Sequence, residues 1–255
     1  MGLTSAVLRF AAPVPQLTDF SRFLFIGPHP DDIEIGAGAT AAALIAAGKH
    51  VSFLICTDGR FGLENAADGT TPEALIEIRK KETYAGAETL GVSDVHFLGL
   101  SDGGCYAKED LLKGIARVIG DVQPDVVFAP DPFVSGECHA DHIAVGETAR
   151  TLAFFAPFGE IMSLYGARSA DVKAIAYYMT ARPNRFVKTS AYFERQLAAL
   201  RCHKSQFPED SDALKTLTLY LKLRSLDFGL RSLKGRAEGF RVLGKTQMHC
   251  LPEAK

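Results

Sequence analysis

Four short apolar runs, each followed by a polar turn and a helix-like stretch, constrain this chain more than any other feature. Residues 22–27 (RFLFIG), 50–58 (HVSFLICTD), 94–100 (DVHFLGL) and 125–130 (DVVFAP) have strand length and suit strands buried on both faces. Helix-like segments separate them: GATAAALIAAGK closed by Gly48, residues 72–91 from Pro72 to Gly91, residues 108–122, and residues 139–156. Parallel strands need crossovers of this kind, so the pattern predicts an α/β fold: a Rossmann-like, three-layer αβα arrangement with a mostly parallel sheet. Residues 174–180 and 184–190 read as later strands, and the chain from Ala191 to about Ser232 reads as helical. No repeat, low-complexity tract or composition shift marks a linker. Residues 1–255 therefore read as one domain, with a core over 22–190 and a C-terminal, mainly helical part over 191–255.

In such folds ligands bind beyond the carboxyl ends of the strands. There the chain gathers His29, Asp31 and Asp32 after the first run and Thr57-Asp58 after the second. Ser101-Asp102 follows the third, and His139 to His142 the fourth. His29 and Asp32 in PHPDD offer an imidazole nitrogen and a carboxylate oxygen, and the HADH pair offers a third ligand of the same chemistry. Two histidines and one carboxylate leave a coordination position open, as catalytic Zn²⁺ sites do; the same set suits Fe²⁺ or another divalent metal. Asp31 is then a surplus carboxylate, suited to act as general base. The remaining histidine of HADH can stabilise an oxyanion or protonate a leaving amine, with Asp141 orienting its ring. Together these parts describe metal-assisted hydrolysis of an amide or ester. Each also has a plain structural alternative, since Asp31 and Asp141 both stand where helix N-caps stand.

Other features narrow the class. A formal charge of −2 gives no basic face for nucleic acid, and Arg79-Lys80-Lys81 reads as a solvated helix face. Cys56, Cys105, Cys138, Cys202 and Cys250 are scattered and odd in number, which points to reduced thiols in a cytoplasmic protein. Prolines interrupt the N-terminal apolar stretch, against a signal peptide, and no segment reaches the ~18 uncharged apolar residues of a membrane helix. Gly36-x-Gly38-x-x-Ala41 fits a dinucleotide fingerprint, but its first glycine stands well downstream of the strand, so a nicotinamide-binding Rossmann protein is the weaker alternative.

The ordered set PHPDD, CTDG, RKKE, FLGLSDGG, HADH, ALRCHKSQ and AEGF resembles the LmbE-like (PIG-L) zinc deacetylases, over about residues 22–242. That resemblance implies His29, Asp32 and His142 as metal ligands and Asp31 as general base. It also implies His139 as the oxyanion or leaving-group residue, with Asp141 as its partner. It places Arg79 and Asp102 at substrate-contacting positions, against the structural readings of a helix ion pair with Glu82 and a turn in Ser101-Asp102-Gly103-Gly104. His203 also matches a family position, although a helix-surface histidine fits the sequence equally. One departure stands out: Glu137 occupies the position where the mycothiol branch carries a tyrosine, so Glu137 is expected to face substrate or solvent unless another donor serves the oxyanion.

The resulting expectation is a zinc-dependent N-deacetylase acting on an N-acetylated amino sugar or its conjugate. The alternative within the same chemistry is an amidase cleaving a larger sugar-amide conjugate. Its partner is a small molecule, with no nucleic acid and no membrane span, and a homo-oligomer is compatible with the sequence.

Overall fold

The computed structural model describes residues 7–249, Arg9 excepted. Its strands are β1 (Arg22–Gly27), β2 (His50–Thr57), β3 (Asp94–Leu100), β4 (Val126–Pro130), β5 (Ala174–Tyr178), β6 (Arg185–Lys188) and β7 (Ala237–Gly244). They form one sheet in the order β3-β2-β1-β4-β5-β7-β6. β1 to β5 are parallel, while β7 runs antiparallel to both β5 and β6.

The helices are α1 (Asp32–Ala46), α2 (Pro72–Leu90), α3 (Lys108–Val122), α4 (Ala140–Phe155), α5 (Gly159–Leu164), α6 (Phe193–Leu200) and α7 (Asp212–Ser232). Phe23 and Phe25 of β1 bury into a core shared with α1 and α2, whereas Leu24 and Ile26 bury into a second core with α3 and α4. That is why β1 is a continuous apolar run without polar alternation. Phe25 stacks on Phe128 of β4 at 4.1 Å between ring centroids.

α2 begins and ends as its sequence predicts. The Thr71 side chain accepts the Ala74 N–H at 3.2 Å, Pro72 opens the helix, and Gly91 closes it at φ 87°. α1 starts at Asp32, earlier than the sequence suggests. The Gly36 and Gly38 of the fingerprint lie inside this helix: a Cβ on Gly36 would stand 2.3 Å from the Tyr178 ring, and one on Gly38 would stand 3.2 Å from Gln196. Close helix packing accounts for these glycines, and the nicotinamide reading loses its only motif.

The C-terminal part is mainly helical, as expected, with two additions. Residues 201–211, which include Pro208, break the continuous helix into α6 and α7. β7 then returns to the sheet between β5 and β6. The short α5 is likewise unmarked in the sequence pattern.

β1 has β2 on one side and β4 on the other, and its crossover α1 covers one face of the sheet while α4, after β4, covers the other. The chain ends of β1 and β4 thus part in opposite directions, which opens a crevice at their carboxyl ends.

Candidate metal centre

The turn after β1 is built by its own side chains. The His29 backbone N–H donates to Asp32 Oδ2 at 2.8 Å, and Asp31 takes φ 115°, a left-handed conformation that Asp tolerates better than most residues. Asp31 stands at the N-cap position of α1 but makes no capping bond. Its carboxylate is held by Arg79, whose Nη2 donates to Asp31 Oδ2 at 3.0 Å and to the Pro30 carbonyl at 2.6 Å. Arg79 Nη1 donates to the Gly59 carbonyl at 3.2 Å. The capping alternative for Asp31 therefore fails, and the Arg79–Glu82 ion pair is not formed. Glu82 instead accepts from the Ser205 N–H and hydroxyl at 2.8 and 2.6 Å.

The segment after β4 brings the second half. His139, not Asp141, caps α4: its Nδ1 accepts the Asp141 N–H at 3.3 Å. The Asp141 carboxylate is fully buried and accepts from the Gly103 and Gly104 N–H groups at 2.7 and 2.8 Å, tying in the loop after β3. It lies 3.0 Å from His29 Nε2 but 3.8 Å from His139 Nδ1. Asp141 thus orients the His139 ring through its backbone amide, while its carboxylate serves His29.

The halves meet at Asp32. Its Oδ2 lies 3.1 Å from His29 Nδ1, and its Oδ1 lies 3.4 Å from His142 Nε2. Ligand atoms of His29, Asp32 and His142 all lie within 4.8 Å of one another, as do those of His29, His139 and Asp141. The two groups share His29. Since two backbone amides already engage Asp141, the first group is the better donor set for a cation. Two imidazoles and one carboxylate at this spacing fit a divalent metal.

Sequence reasoning missed Glu137. Its side chain is 25% exposed, yet both oxygens are engaged by the histidine pair: Oε2 lies 3.0 Å from His142 Nδ1, and Oε1 accepts the His139 N–H at 2.8 Å. A carboxylate on the far nitrogen of a ligating imidazole fixes which nitrogen points at the metal. The only local signal was an acidic residue just before HADH.

Electrostatics follow from this packing. Burial alone would lower the His29 pKa, but the Asp141 and Asp32 carboxylates overcome it and raise it to about 10 in the metal-free protein. Burial opposes ionisation of Asp32 and Asp141, yet their histidine partners, with the Gly103 and Gly104 amides for Asp141, hold both well below the usual carboxylate range. Burial pushes Asp31 up to about 6, against the pull of Arg79. His139 is lowered, by burial and then by the neighbouring His29.

The remaining expected residues line the surroundings. Asp102 is buried and its carboxylate oxygens lie 3.3 Å from the Phe61 N–H, joining the loops after β2 and β3. Thr57 donates to the Pro28 carbonyl at 2.8 Å, and Asp58 pairs with Arg60 rather than with the histidine cluster. Arg79 is 4% exposed, with its guanidinium engaged first by the turn. His203 is fully buried, 3.2 Å from the fully buried Glu34, so it is no surface histidine.

Residues 24–153 match the family model described as PIG-L, GlcNAc-PI de-N-acetylase. The chain belongs to the PIG-L family. The PIG-L span contains the whole cluster from His29 to His142. A diacetylchitobiose deacetylase of Thermococcus kodakarensis is 34% identical over 240 residues, covering 92% of this chain and 88% of the relative. A 1D-myo-inositol 2-acetamido-2-deoxy-alpha-D-glucopyranoside deacetylase of Kineococcus radiotolerans is 33% identical over 229 residues, covering 78% of this chain and 61% of that one. Among solved structures, the N,N'-diacetylchitobiose deacetylase of Pyrococcus horikoshii, complexed with its inhibitor MPG, matches with a TM-score of 0.88 at 29% identity. That match covers 99% of this chain and 97% of the other.

Proposed function

We propose that this PIG-L protein is a zinc-dependent N-deacetylase that hydrolyses the acetamido group of an N-acetylglucosamine unit in a small saccharide or sugar conjugate, diacetylchitobiose being the first candidate. One observation carries the reading. A two-histidine, one-carboxylate donor set stands beside a further carboxylate, Asp31, that the donor set does not need. A binding module has no use for that extra group. The acetylated sugar is taken from the deacetylases to which the chain is similar.

In this reading His29, Asp32 and His142 hold the metal, with Glu137 and Asp141 behind the two imidazoles. A divalent metal bound there supplies Lewis-acid polarisation of the acetyl carbonyl and makes water more acidic. Asp31 takes a proton from the attacking water at Oδ1, because Arg79 occupies Oδ2. In the metal-free protein burial brings its pKa to about 6, against the pull of Arg79. His139 accepts the Asp141 N–H at Nδ1, which leaves its own proton on Nε2. That Nε2–H stabilises the tetrahedral oxyanion, and the proton that Asp31 took from water passes to the departing nitrogen as the C–N bond breaks, giving acetate and a free amine. Arg79 and Asp102 retain the substrate-contacting roles that their family positions imply, and Arg79 also braces Asp31.

We read residues 1–255 as one catalytic domain and the protein as cytoplasmic. Among the described residues no helix is long and apolar enough to cross a membrane.

The test is a panel of N-acetylated sugars assayed for acetate release with and without a chelator, on the wild type and on Asp31→Asn. Asn tolerates the left-handed backbone at this position, so the turn survives the substitution. Turnover should fall by about 10²–10⁴ while zinc content by elemental analysis stays near wild type. Chelator-resistant acetate release, or an undiminished Asp31→Asn variant, would refute the mechanism. Release of an acid larger than acetate would transfer the protein to the conjugate amidases.

A further inference from the structure

Helix α7 has two apolar faces, and the body of the protein covers one. Leu214, Leu221 and Phe228 are 9%, 3% and 6% exposed; the two leucines pack with α6 and Ile35, and Phe228 packs on Phe186 of β6. Their seven-residue spacing puts them at one position of a heptad. On the opposite side Leu219, Leu223, Leu226, Leu230 and Leu233 are 57%, 59%, 42%, 76% and 95% exposed. These five recur at alternating steps of four and three residues, which is the a/d repeat of a coiled-coil seam, with Leu233 at the helix C-cap. Isolated exposed leucines are ordinary, but a contiguous stripe with this period marks a contact surface.

The flanking charges select the occupant. Lys222 precedes Leu223 at the g position, and Asp227 follows Leu226 at the e position; both are exposed. In a parallel pair of helices, g of one faces the e position five residues later in the other. Lys222 of each copy then meets Asp227 of its mate, and the stripe is complementary to itself under a two-fold axis. Antiparallel pairing would set like charges together. Beside the stripe runs a cleft of about 550 Å³, whose lining includes Leu219 and sets four cations, Arg201, Lys204, Lys215 and Lys222, against Glu209 and Asp210. This cationic flank suits a carboxylate arriving from a second copy.

We propose that the leucine stripe of α7 is the seam of a homodimer in which two copies pack their α7 helices in parallel. The inference is independent of the deacetylase reading, because none of these residues belongs to the metal centre. Sedimentation velocity across a dilution series should give an even-numbered assembly for the full-length wild type, and Leu226→Lys should halve its mass with acetate release per chain unchanged. Lys222→Asp and Asp227→Lys should each shift the equilibrium toward the smaller species, and the double variant should restore it; these exposed positions keep the test valid if Leu226→Lys fails to fold. Leu226→Cys should form a disulfide-linked dimer with added oxidant, since parallel pairing puts equivalent d positions side by side. A wild type monomeric at every concentration, or an assembly indifferent to Leu226→Lys and to the charge exchanges, would overturn the proposal. An assembly that Leu226→Lys splits but the double charge exchange does not restore would overturn its parallel form.

Discussion

Glu137 and His142 form a carboxylate–imidazole pair, Oε2 to Nδ1 at 3.0 Å, behind the nitrogen that faces Asp32. Glu137→Ala should weaken zinc binding by about 10–100-fold, the usual cost of losing such a partner, while Glu137→Gln should lose less because its amide oxygen still accepts from Nδ1. Competition against a chromophoric chelator measures this without any turnover. Equal affinity in Glu137→Ala would show that the ring is held by packing alone.

His29 makes the metal-free protein sensitive to alkali. Its folded pKa, about 10, lies above the value near 6.5 expected of an unfolded histidine. The stabilisation from its charged contacts with Asp32 and Asp141 is therefore complete below about pH 6.5 and is lost as pH rises through about 10. Chelated protein should show a falling Tm across that window. Zinc-loaded protein should not, because a ligating imidazole is already neutral. The same linkage makes zinc uptake near neutral pH release a proton, which calorimetry in buffers of different ionisation enthalpy detects.

The legible part of this chain was what neighbours in sequence decide. Strand-length apolar runs, the Thr71-Pro72 start and Gly91 stop of α2, and the spacing within PHPDD and HADH all act over a few residues. The hidden part depended on distant partners. β7 alternates Phe240 and Val242 with Gly239 and Arg241, a short pattern that Glu238 and Gly239 obscure, and it is completed by the open edges that β5 and β6 present to it. Arg79 looked like one member of a cationic helix face until the turn at Pro30-Asp31 came to meet it. Asp141 was an obvious helix cap by position, yet the shorter route for its carboxylate was to the Gly103 and Gly104 amides.

Arg79 and Asp31 are both buried, so removing one leaves the other without its counter-charge. Arg79→Ala should cost about 3–5 kcal/mol of stability, as expected for breaking a buried pair. Arg79→Lys keeps the charge but lacks the planar fork that reaches Asp31, Pro30 and Gly59 together, so it should recover only part of the loss. Thermal or urea unfolding of the chelated protein measures both. A neutral Arg79→Ala would show that Asp31 is solvated or protonated in the fold.

Gly36 separates packing from cofactor binding. A methyl group there meets the Tyr178 ring, whose hydroxyl is fixed to the Ile26 carbonyl at 2.8 Å, so Gly36→Ala should destabilise by about 1–3 kcal/mol. The loss should be the same with and without added NAD, read as the shift in urea midpoint. A variant as stable as the wild type would mean that the ring moves aside freely.

The late strand has a consequence for biogenesis. Among the described residues β6 pairs in the sheet only with β7, which leaves the ribosome after α6 and α7. Until residues 237–244 emerge, β6 has no partner, and the open edge of β5 offers an unguarded template to any extended peptide nearby. A nascent chain stalled in α7 should therefore depend on a chaperone at that edge, although every residue of the metal centre has already been made.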